Sequence, residues 1–313
     1  MKQLLLSADE KASLVIVVTS YNRWILPATR LLSSSQRQAI LVLSAWVYQA
    51  IEISQIQDGD PLRTLQAYEE ELLKVWDGKE TRHLITLLFV RLAKEYEFPK
   101  KDCIVFLTAL ERSIAPNPFS TRQELETWLT HSGGIVGCLA ATVLELPPSG
   151  AQTLSQAFRW IQMVYLLASV GRNWRLFNRI LLPISLLQQY GLERDQLWNR
   201  RHTWQWHEFI HDETTRLLEQ KREIEKDLHT LPRTTQALLN ILIELETWTL
   251  ERLRKQPILC WSIRSVQPST ARSLQVITWW TWKMKGLPRA KKSWKLGKTL
   301  AGKGFSLLRK KAK

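Results

Sequence analysis

The chain has 313 residues, and 44 Lys plus Arg against 29 Asp plus Glu give a formal net charge of +15. Residues 1–251 hold 27 Lys/Arg and all 29 acids, whereas residues 252–313 hold 17 Lys/Arg and no acid. A near-neutral body therefore carries a cationic tail, which excludes a uniformly basic nucleic-acid coat and makes the tail a separate question.

The opening MKQLLLSADEK ends its apolar run after Leu6, so no secretory leader is expected. Further on, Ile40, Leu43, Val47, Ala50 and Ile51 recur at helical spacing, and so do Leu84, Leu87, Leu88 and Leu92. Breaks fall at 57–61, 98–101, 116–120, 147–152 and 191–195. The longest uncharged central run, 127–144, contains His131, Ser132, Gly133 and Gly134 and reads as a buried helix with its turn rather than a membrane span. Residues 205–253 read as two charged helices interrupted near Leu231-Pro232. With 12 Gly and 12 Pro the chain is too poor in turn residues for a turn-rich β fold. The expected class is all-α, a single-domain helical bundle over 1–257 followed by a basic tail over 258–313. Cys103, Cys138 and Cys260 are odd in number and far apart, which points to a reducing compartment without structural bridges.

Several landmarks appear in order. Thr19-Ser20-Tyr21 is followed by Leu31-Leu32, Arg37 and Ala39-Ile40, then by Ala45-Trp46-Val47-Tyr48. Glu124-Leu125-Glu126-Thr127-Trp128 precedes Gly133-Gly134-Ile135-Val136-Gly137. Asn178-Arg179-Ile180-Leu181-Leu182-Pro183 precedes Tyr190-Gly191-Leu192, and Leu231-Pro232 follows. Together these segments resemble the squalene/phytoene synthase family, the head-to-head prenyl synthases, over residues 12–255. The resemblance implies an isoprenoid-synthase fold and, in its active members, Mg²⁺ held by two DxxxD motifs. Residues at i and i+4 share a helix face, so two carboxylates reach one group of hard cations, which stabilises the departing pyrophosphate.

Neither motif is intact here. The first falls on Ile51, Glu52, Ile53, Ser54 and Gln55, with only Glu52 acidic. The second falls on Leu166, Ser169, Val170 and Trp174, and no Asp or Glu occurs between Glu145 and Glu193. A non-catalytic member is expected, binding an apolar lipid or a protein partner in the manner of a scaffold or assembly factor. No cofactor is expected, with Mg²⁺ required only if prenyl transfer survives. The candidate cavity residues are Tyr21, Tyr48, Glu52, Gln162, Tyr165, Arg172 and Arg179. Arg172, Arg175 and Arg179 fit either a direct phosphate clamp or a solvated helix end.

A rival motif is His207-Glu208-Phe209-Ile210-His211, matching the H-E-x-x-H of zinc hydrolases. It lacks a recognisable third ligand, and two ordinary surface histidines are the simpler reading. The 15 tryptophans are read as helix packing, with an aromatic cavity wall as the alternative.

In the tail, Trp279, Trp280 and Trp282 precede a break at Gly286 and Pro288. Beyond it Ala290, Trp294, Ala301, Phe305 and Leu308 keep a helical period, with Lys291, Lys292 and Lys295 largely off that stripe. This pattern suits an anionic membrane surface, with aromatic anchors and cations at headgroup depth. Lys predominates over Arg, which disfavours nucleic-acid recognition. The expected location is cytoplasmic, peripheral on the inner face of the membrane.

Overall fold

A computed structural model describes residues 6–21, 25–194, 197–201, 203–262, 266 and 268–284. These residues form helices, with no strand among them. The order is α1 (Ala8–Tyr21), α2 (Ile25–Ala28), α3 (Ser34–Ser54), α4 (Pro61–Trp76), α5 (Leu84–Glu95), α6 (Lys100–Arg112), α7 (Arg122–Leu129) and α8 (Ile135–Val143). The chain continues as α9 (Pro148–Ala168), α10 (Val170–Phe177), α11 (Ile184–Gln189), α12 (Leu197–Arg200), α13 (Trp204–Leu228), α14 (Arg233–Lys255) and α15 (Thr270–Met284). The all-α expectation is met.

Two long helices organise the packing. α3 touches α1, α4, α5, α6 and α8, while α9 touches α8, α13 and α14. Local chemistry sets their ends. Ser33 and Gln36 form a capping box that starts α3, satisfying backbone donors at the helix entry. Asp60 accepts from the amides of Leu62 and Arg63, with Pro61 at the first turn of α4. The stripe foreseen on α3 does face inward: Ile40, Leu43, Val47 and Ala50 are buried.

Between α7 and α8 the backbone widens into a π-turn over Thr130–Gly134. Gly137 belongs here because a Cβ would sit 2.6 Å from the Leu154 carbonyl oxygen, so only glycine lets α8 approach α9 this closely.

The helical body does not end at 257. A 3₁₀ turn, Pro257–Trp261, follows α14, and its Cys260 and Trp261 are buried. The Thr249 hydroxyl donates to the Val266 carbonyl at 3.2 Å, and the chain returns along α14 as α15. Ser273, Val276 and Ile277 of α15 are buried, Arg272 reaches Glu244 at 3.4 Å, and the Trp280 indole donates to Glu244 at 3.1 Å. The first part of the acid-free segment thus belongs to the packed body rather than to a separate tail.

Glu246 of α14 gives this body a pH dependence. Burial pushes its carboxyl up from 4.5 to about 7. A folded-state value above the unfolded one means the fold prefers the protonated acid. Its contribution is complete below the unfolded value and is lost as pH rises towards 7. Glu246→Gln should match the wild type in acid and exceed it by about 1–2 kcal/mol near neutrality and above. That figure is discounted from the full linkage value because the side chain is only half-buried. Urea unfolding on both sides of this range checks it, with equal wild-type and variant slopes against pH as the contrary result.

Candidate functional site

The C-terminal turn of α3 meets α10 and the segment that follows it, through side chains that reach Ser54 and Gln55. Arg172 spans the gap. Its Nη2 donates to Gln55 Oε1 at 3.3 Å and its Nη1 to the Tyr165 hydroxyl at 3.0 Å. Arg179 is 7% exposed and donates from Nη1 to the Ser54 carbonyl at 2.8 Å. Its positive charge sits against the carbonyl end of α3, where the helix dipole favours a cation. Burial lowers its pKa. Among the described residues, Arg172, Arg175 and Arg179 form no ion pair with a carboxylate.

At the start of α10 the buried polar pair is Ser169, which stands at the N-cap position, and Asn173, one residue ahead of the Val170/Trp174 register. The Asn173 amide donates to the Ser169 hydroxyl at 3.2 Å. Val170 is buried in the core, and Trp174 is half-buried beneath the Arg194 guanidinium, 5.1 Å from its ring centroid. Arg194 in turn donates to the carbonyl of Asn178, whose left-handed φ of 50° ends α10. Arg175 and Arg201 both lie over the Trp198 ring, at 4.3 and 4.0 Å. Gly171 is required at this crossing because a Cβ there would overlap the Trp261 backbone.

The remaining candidates separate. Glu52 is exposed on α3 and Ile51 is half-buried. Tyr48 is half-buried against the core. Gln162 does not stand free in a cavity. Its Oε1 accepts from the Gly133 amide at 2.6 Å and from the Ser132 hydroxyl at 2.9 Å, which ties the π-turn to α9. The side chain of Tyr21, and Lys291, Lys292, Trp294, Lys295 and Phe305, lie outside the described residues. Sequence reasoning placed Ser169 on the second motif without pairing it with Asn173, and it missed Asn173, Arg194 and Trp198. The only signal for Asn173 was its four-residue spacing from Ser169.

These side chains do not fit a Mg²⁺ cluster. Such an ion takes oxygen ligands, chiefly carboxylates and water. Here the facing groups are an amide, a hydroxyl–amide pair and a guanidinium, and the Gln55 oxygen is already engaged by a cation. Among the described residues no group of three or more His, Cys, Asp or Glu side chains could hold a metal ion. His207 and His211 are exposed on α13, where they line an open cleft of ≈ 700 Å³ with Arg254, Lys255 and Pro257.

The helical order and the bridging of the α3 end by Arg172 of α10 and by Arg179 describe an isoprenoid-synthase-like all-α protein. The family model described as Squalene/phytoene synthase matches residues 21–272, and the chain belongs to that family. The match itself extends past 257, in line with the packing of the Pro257–Trp261 turn. Among solved structures, squalene synthase HpnC from Alicyclobacillus acidocaldarius is 19% identical with TM-score 0.69, covering 79% of this chain and 94% of its own. A dehydrosqualene synthase in complex with ligand is 16% identical with TM-score 0.75, covering 89% and 98%. YisP from Bacillus subtilis subsp. subtilis strain 168 is 16% identical with TM-score 0.67, covering 86% and 95%. No curated protein sequence matches the chain.

Proposed function

We propose that this chain is a non-catalytic member of its family that binds an apolar lipid or a protein partner and associates peripherally with membranes. The observation that carries the reading is Arg172, held between Gln55 and Tyr165 where a catalytic member needs facing carboxylates. A fixed guanidinium there repels a divalent cation instead of binding it. Each missing electrostatic stabiliser raises the barrier by about 2–4 kcal/mol, and several are missing together. No helix among the described residues is long and apolar enough to cross a membrane, which leaves surface attachment as the mode for the body.

A second reading rests on the same arginines. Among the described residues Arg172, Arg175 and Arg179 have no carboxylate partner, and guanidiniums clamp phosphates directly, so an altered prenyl transferase working without Mg²⁺ is the competing case. One assay tests both. The protein is incubated with farnesyl or geranylgeranyl diphosphate, with and without Mg²⁺, and pyrophosphate and hydrocarbon are followed. The expected result is neither pyrophosphate release nor a condensed product under either condition. Turnover with Mg²⁺ would sink the non-catalytic reading, and turnover equal without it would establish the arginine-based alternative.

A further inference from the structure

The packed half of the acid-free segment leaves one helix face without a partner among the described residues. On α15, Ser273, Val276 and Ile277 turn into the body, while Leu274 is 49% and Trp279 46% exposed. Ala271, Gln275 and Thr278 share the exposed side, whose charge is confined to Lys283 at its C-terminal end. The helix is fixed in orientation rather than loosely attached, because Glu244 of α14 holds both Arg272 and Trp280. At its C-terminal end, Lys283 lies over the rings of Trp279 and Trp280, at 5.0 and 4.4 Å. Directly after it, residues 285–313 contribute eleven Lys/Arg and no acid.

We infer that the outer face of α15 is a docking surface for an anionic lipid bilayer, and that it sets the body at a defined orientation on that surface. This rests on the membrane reading above and adds to it a place and a geometry. A helix face with an exposed Leu and Trp and its charge only at the C-terminal end suits the boundary between headgroups and acyl chains. The adjoining cations match the negative potential of anionic lipid, each adding to the attraction within a Debye length. The complementarity is one of charge as well as of polarity. A soluble protein partner accounts for the apolar patch but leaves the eleven cations that follow it in the sequence unexplained, whereas an anionic bilayer uses both.

The test is co-sedimentation of the full-length protein with phosphatidylcholine vesicles containing phosphatidylserine, against phosphatidylcholine alone. The double variant Leu274→Ser/Trp279→Ser should bind the anionic vesicles about tenfold more weakly, at unchanged thermal stability, since both side chains are exposed. Ile16→Ser is the control, because Ile16 is 69% exposed on a different helix, and its binding should not change. If the wild type binds and the double variant binds equally, the docking face is overturned while membrane association stands. An equal loss in Ile16→Ser also overturns it, since general surface apolarity would then carry the binding. If the wild type binds neither vesicle, the membrane reading falls with it, and binding to DNA in its place would assign the cations to nucleic acid.

Discussion

Trp46→Ala should destabilise the protein by about 3–5 kcal/mol, whereas Trp46→Phe should cost less than about 1.5. Trp46 of α3 is 0% exposed and stacks on Phe89 of α5 at 3.9 Å with the rings 3° from parallel. It also meets Phe106 of α6 at 5.0 Å. One indole thus fills the space between three helices. Truncation to Ala removes the stack and opens a cavity in a core that relaxes only partly. Phe keeps most of the apolar volume. It also removes the indole N–H, which is buried without a hydrogen-bond partner and carries a desolvation penalty in the wild type. Urea unfolding of both variants checks the pair. Equal stability of the two would show that the stack does not organise this part of the core.

The same residue shows what the sequence makes legible. An apolar stripe on α3 at three- and four-residue spacing says which face is buried. It does not say whether an aromatic residue on that face fills space or lines a cavity. Trp46, Trp128 and Trp160 are buried, as a packing role requires, and the indoles of Trp128 and Trp160 donate to the carbonyls of Ala109 and Leu217. Trp76 and Trp174 are only half-buried, and Trp24 lies outside the described residues. The partner that decides the role is a residue far away in the chain, as with Phe89 and Trp46.

Two features were not legible, for different reasons. The extent of the body was hidden because the loss of acids after Glu251 reports charge, not burial. Cys260, Trp261 and Val266 turn inward although cations surround them in the sequence. The face of α10 was hidden because a helix turns about 100° per residue, so a one-residue slip exchanges Ser169/Asn173 for Val170/Trp174. Aspartates would have anchored that register. With them gone, only the Asn173–Ser169 hydrogen bond in the folded chain shows which pair is buried together. The bridge from Arg172 to Gln55 joins residues 117 positions apart, a distance at which no local pattern carries information.

Glu213→Ala is the second substitution with a large expected cost, about 3 kcal/mol. Glu213 of α13 is buried and accepts from both Nη atoms of Arg122 on α7, and from Nε and Nη2 of Arg216 at 3.2 and 2.9 Å. Arg216 also lies 3.7 Å from Glu126, which accepts from Arg159 of α9 at 2.9 Å. Three arginines and two glutamates therefore tie α7, α9 and α13 together. Removing the buried acid leaves guanidiniums partly withdrawn from water without their counter-charge, which costs about 3–5 kcal/mol in a dry pair. Arg122 and Arg216 keep 35% and 26% of their side chains exposed, so water recovers part of that loss and the lower end is expected. Glu213→Gln retains one acceptor and should cost about half as much. In Glu213→Leu/Arg216→Met the apolar replacements remove the Glu213–Arg216 pair and leave only Arg122 without its counter-charge, so part of the stability lost in Glu213→Ala should return. Denaturant unfolding of Glu213→Leu, Arg216→Met and their combination closes the double-mutant cycle that measures this. If the double variant is less stable than Glu213→Ala, the network stabilises the helices by more than mutual charge compensation, and Arg122 is the next residue to vary.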